Sequence, residues 1–341
     1  MTRRGRFGGR VRGGFAAGML AAWLSLTGAL TGIAAPTSAA PATSAAPTIG
    51  AAPAIGDCPI FPANNVWNTR IDTLPVHERS DAWIASIGAS TGLHPDFGSG
   101  IYEGRPIGIP YNTAPGNQPE VRVTFEYADE SDPGPYRLPF DANTEGGSDG
   151  HVLAIDRERC LLAELYNATK HAPTSWSAGS GAIFDLRSNA LRPVGWTSAD
   201  AAGLPILPGL VRYDEVEAGE IAHALRFTVE RTQQAYVWPA RHYASDDPDP
   251  NLPPMGARVR LKSSVDLTGY APETRAILTA LQRYGMLLAD NGSNWFISGT
   301  PDPRWNNEHL RQLHGIVGSD LEFVDAASLM VHPDSAEAAA P

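Results

Sequence analysis

The even spread of proline and glycine constrains the fold of this chain more than any other feature. The sequence has 29 Pro and 34 Gly among 341 residues, and short runs of β-forming residues lie between them. Because both residues favour turns and end regular elements, the pattern predicts many short strands joined by loops. No repeat of about 20–50 residues suggests a solenoid or propeller. We therefore expect a mainly β fold: a single β-sandwich or jelly-roll-like domain with long loops and a few peripheral α-helices.

Individual elements can be assigned from composition and periodicity. Nine runs have the composition of strands: residues 121–127, 151–155, 161–167, 181–186, 223–229, 235–242, 258–262, 286–289 and 295–298. Three segments have the periodicity of helices: residues 77–87, 272–286 and 306–316. Asn291-Gly292 lies between the last two strand segments, and Asn-Gly in that position predicts a hairpin.

The first 40 residues have the order of an export signal. Residues 1–14 carry five arginines and no acidic residue, residues 15–35 are apolar, and small residues around Ala39 and Ala40 suit a signal peptidase. A membrane anchor is the alternative, since about 20 apolar residues can span a bilayer. Glycine and threonine within the run favour cleavage. We predict a signal peptide over residues 1–40 and a secreted, extracellular protein with no membrane contact after cleavage.

The remainder divides by composition into three parts. Residues 41–56 form an Ala/Pro/Thr-rich segment without charge, which predicts a flexible linker. Residues 57–333 form the predicted β-rich globular domain, and residues 334–341 a disordered tail. We find no place to divide the globular part, and we expect a monomer.

Net charge excludes one class of partner. The chain has 26 Lys+Arg and 37 Asp+Glu; without the five arginines of the signal, 21 basic residues face 37 acidic ones, a formal charge of about −16. Such a surface repels phosphate backbones and anionic membranes. We expect no nucleic-acid partner.

Cys58 and Cys160 are the only cysteines of the chain. In an oxidising compartment, an isolated pair predicts a disulfide bond. Closing a loop of about 100 residues is worth ~4–5 kcal/mol in the chain-entropy model.

The first predicted hairpin places two titratable side chains opposite each other. A loop over residues 156–159 would pair Ile155 with Cys160 and set His151 across from Glu164. Side chains alternate along a strand, so His151 would lie on the apolar face of the hairpin.

The second predicted hairpin repeats this arrangement. A loop over residues 231–234 would pair Glu230 with Ala235 and set His223 across from His242. Both histidines would then lie on faces that are otherwise apolar, at the end of the hairpin away from its turn.

If the two hairpins converge, these four side chains form a catalytic site inside the mouth of the fold: His151, Glu164, His223 and His242. Three imidazoles and a carboxylate can bind a divalent metal ion, the one cofactor that the sequence suggests. Cupin-like jelly rolls use similar ligands, although this chain lacks their His-x-His element. Without metal, the same groups could act as acids and bases. A register shift of one residue would turn each pair apart.

A second candidate set surrounds the predicted Asn-Gly turn. Asp290, Asn291 and Trp295 combine a carboxylate, an amide and an aromatic ring. This combination suits sugar recognition, because a sugar ring stacks on an aromatic face while polar groups bind its hydroxyls. The alternative is ordinary turn chemistry beside a core tryptophan.

Three segments of the chain resemble segments of a group of uncharacterised secreted bacterial proteins. They are FPANNVWN (residues 61–68), LPILPGLVRY (residues 204–213) and DNGSNWFIS (residues 290–298). The resemblance extends over residues 58–331. It implies export and a single folded unit, and it carries no activity to particular residues.

Three functions remain open from the sequence. The first is a secreted carbohydrate-active enzyme, either a glycoside hydrolase or a polysaccharide lyase, whose partner is a polysaccharide or oligosaccharide. The second is a metal-dependent, cupin-like jelly-roll enzyme that uses the His/Glu set. The third is a non-catalytic carbohydrate-binding or cell-surface module.

Overall fold

The computed structural model describes residues 52–340, where the chain forms strands in eight of the nine predicted runs. The strands are β1 (Ala54–Ile55), β2 (Cys58–Pro59), β3 (His94–Asp96), β4 (Ile101–Tyr102), β5 (Arg105–Pro106), β6 (Tyr111–Ala114), β7 (Arg122–Phe125), β8 (Val152–Asp156), β9 (Leu161–Tyr166), β10 (Thr169–Ala172), β11 (Ser175–Ala178), β12 (Ser180–Asp185), β13 (Leu225–Val229), β14 (Arg258–Leu261), β15 (Met286–Asn291), β16 (Phe296–Ser298) and β17 (Leu321–Val324). The α-helices are α1 (Ser80–Ile87), α2 (Tyr213–Glu217), α3 (Pro272–Arg283) and α4 (Asn307–Arg311). The mainly β class is confirmed.

Two sheets carry most of the fold. The larger has six strands in the order β17-β14-β15-β13-β16-β3, and the smaller has four in the order β12-β9-β8-β6. A three-stranded sheet (β10-β11-β7) and two ribbons (β1-β2 and β4-β5) complete the described part. Parallel pairs occur in all three sheets, namely β13 with β15, β16 with β3, β6 with β8, and β11 with β7. Because a jelly roll is built from antiparallel strands, that form of the prediction is not confirmed.

The four-stranded sheet is buried on both faces. On β8, Leu153 and Ile155 belong to the main core, while Val152 and Ala154 belong to a second, smaller core. This explains the continuous apolar run of β8, since a strand covered on both sides has no polar face. On β9, Glu164 shares the face of Leu162, so its carboxylate points into the main core.

The first hairpin forms, but its register differs from the prediction by two residues. Asp156 pairs with Leu161, so Leu153 and not His151 lies opposite Glu164. The carboxylate of Asp156 accepts hydrogen bonds from the backbone N–H groups of residues 158 and 159, at 3.0 and 3.1 Å. These bonds make Asp156 the last paired residue of β8, so the turn covers residues 157–160, one position later than predicted.

The second predicted hairpin is wrong. Residues 235–242 form no strand, and Tyr236 makes only an isolated bridge to Met255. The reason lies in β13, which pairs with β15 on one edge and with β16 on the other. No edge remains for a hairpin partner, so His223 and His242 are not set across from each other.

The predicted Asn-Gly hairpin is also wrong, for the same reason. β15 and β16 follow each other in sequence, but β13 lies between them in the sheet. The connection over residues 292–295 therefore crosses the end of β13. The hydroxyl of Thr228 on β13 donates a hydrogen bond to the carbonyl of Ser293 at 2.8 Å and fixes this crossing.

The ends of the globular part differ from the predicted boundaries. Ala54 and Ile55, placed in the linker by composition, pair with β2. Residues 334–340, predicted as a disordered tail, pack on the domain: Ala336 is buried and its N–H donates to the carbonyl of Asn189 at 2.7 Å. The predicted signal peptide and the linker as far as residue 51 lie outside the described residues.

The disulfide bond between Cys58 and Cys160 is confirmed, with the two Cα atoms 5.3 Å apart. It ties β2 to the turn before β9. Such a bond is compatible with a secreted protein. Within residues 52–340, none of the helices has the length and apolar character that a membrane span requires.

Candidate functional site

A cavity of about 400 Å³ opens where the ends of three strands meet two loops. Tyr166 ends β9, Ser180 begins β12 and Asp290 lies near the end of β15, while residues 197–201 and 242–244 close the other sides. Its polar lining comprises the carboxylates of Glu130, Asp149, Asp200 and Asp290, the rings of Tyr127, Tyr166 and His242, and the polar groups of Ser180, Thr197, Ser198 and Asn291. We call it the acidic cavity.

A buried ion pair fixes one wall of the acidic cavity. Arg226 on β13 donates two hydrogen bonds to Asp200, from Nε at 2.8 Å and from Nη2 at 2.6 Å. Its remaining nitrogen donates to the hydroxyl of Ser298. Burial alone would lower the pKa of Arg226. The charge and hydrogen bonds of Asp200 outweigh burial, so the pKa of Arg226 is raised. The paired geometry holds a carboxylate at a set position on the wall.

Asp290 is a carboxyl group whose pKa this ion pair affects. Burial raises the pKa of Asp290 to about 7, and the negative charge of Asp200 adds to the rise, while Arg226 only partly offsets it. Its Oδ1 accepts a hydrogen bond from the N–H of Asn291 at 2.7 Å. Among the described residues, no Lys, Arg or His forms an ion pair with it. Asp290 can therefore carry a proton near neutral pH while it faces an open cavity.

His151 lies behind the cavity wall and holds it in place. Its Nδ1 is 2.5 Å from Oε2 of Glu145, and its Nε2 is 3.1 Å from the carbonyl oxygen of Ala199. Burial lowers the pKa of His151, but the bond and charge of Glu145 outweigh burial and raise it to about 9. Both ring nitrogens face acceptors, so the protonated form satisfies both. His151 thus positions the loop that carries Asp200.

Glu164 is fully buried and does not reach the acidic cavity as a lining residue. Its carboxylate accepts hydrogen bonds from the N–H groups of Ile206 and Leu207, both at 2.9 Å at their shortest. Burial raises the pKa of Glu164 to about 7, and these bonds reduce the rise. The side chain supports the start of the 3₁₀ turn Leu207–Gly209.

His242 lines the acidic cavity at its rim. Its Nδ1 is 2.8 Å from the carbonyl oxygen of Ala201, and its Nε2 is 3.8 Å from Oε2 of Glu130. The histidine is half-buried and stacks on Tyr243. Of the four residues predicted as one set, His242 alone lines this cavity, and His151 supports it from behind.

His223 belongs to a different cluster. It is fully buried, with Nε2 3.1 Å from Oε2 of Glu215 and Nδ1 2.8 Å from the carbonyl oxygen of Ala224. Arg212 donates to the other oxygen of Glu215. Burial alone would raise the pKa of Glu215, but the charges and hydrogen bonds of His223 and Arg212 outweigh burial and lower that pKa. This cluster shares no hydrogen-bond partner with His151.

The residues predicted to bind sugar, Asp290, Asn291 and Trp295, do not all lie at one site. Asp290 and Asn291 line the acidic cavity, as described. Trp295 is fully buried: its ring stacks on Phe227 with centroids 5.7 Å apart, and its Nε1 donates to the carbonyl of Gly88 at 3.0 Å. Trp295 is a core residue and cannot stack on a sugar, which corrects that prediction.

The predicted metal site finds no support. Among residues 52–340, no group of three or more His, Cys, Asp or Glu side chains is placed to hold a metal ion together. The carboxylates around the acidic cavity are separately engaged: Asp200 with Arg226, and Glu130 with the N–H of Thr197 at 3.1 Å.

Several residues of the acidic cavity escaped sequence reasoning. Asp149 lies in the glycine-rich stretch before His151, while Asp200 and Arg226 are 26 positions apart and meet only through the fold. Arg226 carried one detectable signal, because it is a charged residue within the apolar run of β13. A buried charge needs a partner, and that partner often marks a site.

Comparison with protein-family models, with curated proteins and with solved structures gives no match to this chain.

Proposed function

We propose that this protein is a secreted glycoside hydrolase that cleaves an extracellular polysaccharide in the acidic cavity. The observation that carries the proposal is Asp290: a carboxyl group on an open cavity, without a cationic partner among the described residues, whose pKa is about 7. A group of this kind is suited to protonate a leaving oxygen at near-neutral pH.

Glycosidic hydrolysis uses two carboxyl groups, one as proton donor and one as nucleophile or base. We assign the first role to Asp290 and the second to Asp149, which is exposed at the cavity and accepts a hydrogen bond from the hydroxyl of Ser148 at 3.1 Å. Tyr166 lines the same cavity as both, and burial and then the charges of Asp149 and Asp290 raise its pKa. Its ring offers a surface on which a sugar can stack.

Asp200 and Arg226 act as positioning residues in this scheme. Their ion pair places a fixed negative charge beside Asp290 and so favours the protonated form of that carboxyl group. The same negative charge would stabilise the positive character that develops on the sugar ring during cleavage.

The composition of the cavity favours hydrolysis over elimination. Elimination acts on uronic acids, whose carboxylate must be neutralised by a cation. The described residues that line the acidic cavity include four carboxylates and no Lys or Arg. Such a lining repels a uronate, so we infer a neutral or cationic sugar at the cleavage point.

The test is a panel of soluble polysaccharides, with reducing ends measured for hydrolysis and ultraviolet absorbance measured for unsaturated products. We expect reducing ends without unsaturated products. Asp290→Asn and Asp149→Asn should each lower kcat by about 10²–10⁴-fold. Asp81→Asn, an exposed carboxylate on α1, is the matched control and should retain full activity.

Three results would count against the proposal. Unsaturated products would indicate a lyase, and glycan binding without any cleavage would indicate a binding module. Full activity of folded Asp290→Asn protein would remove the proton donor assigned here.

A further inference from the structure

A second cavity, of about 750 Å³, lies beside the β4–β5 ribbon. The ribbon forms one side through Ile101 and Arg105, and Arg212 and Tyr213 form the opposite side. We call it the hairpin cavity. The acidic cavity and the proposed chemistry use none of these residues.

One segment, residues 143–149, forms a wall of both cavities. Asn143 and Thr144 line the hairpin cavity, and Asp149 lines the acidic cavity. Five residues of chain span at most about 18 Å, so Thr144 and Asp149 cannot be farther apart than that. We call this segment the shared strap.

Hydrogen bonds to other parts of the domain fix the first three residues of the shared strap, 143–145. The backbone of Asn143 exchanges two hydrogen bonds with the side chain of Asn112, at 2.8 and 3.0 Å. Glu145 binds His151 at 2.5 Å, and Arg105 of the ribbon donates to the carbonyl of Thr144 at 3.2 Å. The strap therefore connects the two cavities through fixed contacts.

The six-stranded sheet gives a second connection between the two cavities. Asp96 on β3 pairs with Ser298 on β16, whose hydroxyl accepts a hydrogen bond from Arg226 at the wall of the acidic cavity. Gly98, two positions along the chain, lines the hairpin cavity.

The hairpin cavity offers aromatic rings, an amide and hydroxyls, and three of its five charged side chains are held in ion pairs. The other two, Glu103 and Arg105 at the ribbon, form no ion pair among the described residues and carry opposite charges. Tyr111 and Tyr213 supply aromatic surface, and Asn143 and Thr144 supply polar groups. Its two aspartates, Asp214 and Asp302, both bind Arg304, at 2.6 and 2.7 Å. Arg212 is paired with Glu215. This environment suits an uncharged sugar better than an ionic ligand.

We propose that one chain of neutral sugars occupies both cavities, with the hairpin cavity as a non-catalytic subsite, so that the substrate is a polymer cleaved within its length. The inference rests on the proposed function and adds to it the chemistry and length of the substrate. On this proposal, Tyr213 and the strap residues Asn143 and Thr144 determine which lengths of sugar chain the enzyme prefers.

The experiment uses calorimetric binding to Asp290→Asn protein, which binds without cleavage. The probes are neutral oligosaccharides, from disaccharide to octasaccharide, of the glycan that the wild-type enzyme hydrolyses, or of any neutral glycan that it retains in affinity electrophoresis. We expect affinity to rise with length. Adding Tyr213→Ala should weaken octasaccharide binding about tenfold, equivalent to ~1.4 kcal/mol, and leave disaccharide binding unchanged.

Two further variants provide a second probe of the hairpin cavity and a control. Tyr213 packs on Trp305, so Asn143→Ala/Thr144→Ala, whose side chains make no hydrogen bond within the described residues, provides a second probe of the same cavity. Asn117→Ala, exposed and outside both cavities, is the matched control.

The outcomes separate the two proposals. If Asp290→Asn abolishes hydrolysis but neither hairpin-cavity variant weakens octasaccharide binding, the extended site is wrong and the hydrolase stands. If the hairpin-cavity variants weaken binding of a glycan that is never cleaved, the subsite stands and the hydrolase fails. If no neutral glycan is bound, the extended neutral site is wrong, and the hydrolase is overturned as well unless a cationic glycan is cleaved.

Discussion

At the scale of single residues, the half-buried Asp290 and the fully buried Glu164 are two carboxyl groups with different tasks. Burial raises the pKa of each to about 7. The oxygens of Glu164 are occupied by backbone N–H groups, which makes it a structural residue. Asp290 accepts one local hydrogen bond and faces the acidic cavity. The distinction lies in what surrounds the carboxyl group, since the raised pKa is common to both.

The proposed role of Asp290 predicts a limb in the pH profile of activity. A proton donor must be protonated, so kcat/KM should be constant below the pKa of about 7 and fall as the pH rises through it. The measurement is kcat/KM against pH on a soluble glycan. The residual activity of Asp290→Asn should lack this limb, and a limb that persists in that variant would assign the proton to another group.

Glu164 should matter for stability and not for chemistry. Glu164→Ala leaves two buried N–H groups without an acceptor, so the free energy of unfolding should fall by about 2–4 kcal/mol. Glu164→Gln keeps one acceptor oxygen and should lose less. Urea unfolding measures both, with exposed Glu78→Ala as control. A stable Glu164→Ala protein without activity would reverse the assignment.

At the scale of elements, the shared strap and the loop over residues 197–201 are joined through one imidazole. His151 binds Glu145 of the strap and the carbonyl of Ala199 in the loop. Because both partners are acceptors, the junction is complete only when His151 carries both ring protons. The geometry of the acidic cavity is therefore linked to the protonation of a residue outside it.

This junction predicts a loss of stability at high pH. The folded pKa of His151, about 9, lies above its unfolded value, so its contribution is complete below about pH 6.5 and is lost as the pH rises through 9. We expect the free energy of unfolding to fall by about 2–3 kcal/mol over that window. Glu145→Gln should remove most of this dependence, and an unchanged pH dependence in that variant would contradict the linkage.

Sequence reasoning succeeded where the information was local. The apolar runs identified β8, β9 and β13, and Pro272 with its periodic apolar residues identified α3. It failed where pairing depended on distant chain. The two-residue shift of the β8–β9 register follows from the hydrogen bonds of Asp156, and the insertion of β13 between β15 and β16 has no local signal.

The same limit explains the candidate site. His151, His242, Asp290 and Asn291 were singled out and do lie at or behind the acidic cavity. Grouping His223 with them required a hairpin that β13 cannot form. Asp149 and Asp200 were not predicted as site residues, because they come together at the acidic cavity only through the placement of the two main sheets.

At the scale of the whole molecule, the four-stranded sheet joins the two hydrophobic cores, and the disulfide fastens the beginning of the domain to it. Cys58 begins β2 of the first ribbon, and Cys160 immediately precedes β9. The bond closes a loop of 102 residues that includes β3 to β8 and the shared strap. Cross-linking so much of the chain reduces the freedom of the unfolded state.

Removing the disulfide should therefore lower the free energy of unfolding by about 2–5 kcal/mol. Cys160 has φ of +52°, a left-handed conformation that glycine adopts without strain, so Cys58→Ala/Cys160→Gly removes the bond without adding strain at residue 160. The measurement is urea unfolding of this variant beside the oxidised and the reduced wild type. Reduced wild type should show the loss of the cross-link alone, and the variant a somewhat larger loss, because the variant also lacks the buried sulfur atoms of both cysteines. If the variant is as stable as the oxidised protein, the native contacts of the ribbon hold the start of the domain without the bond.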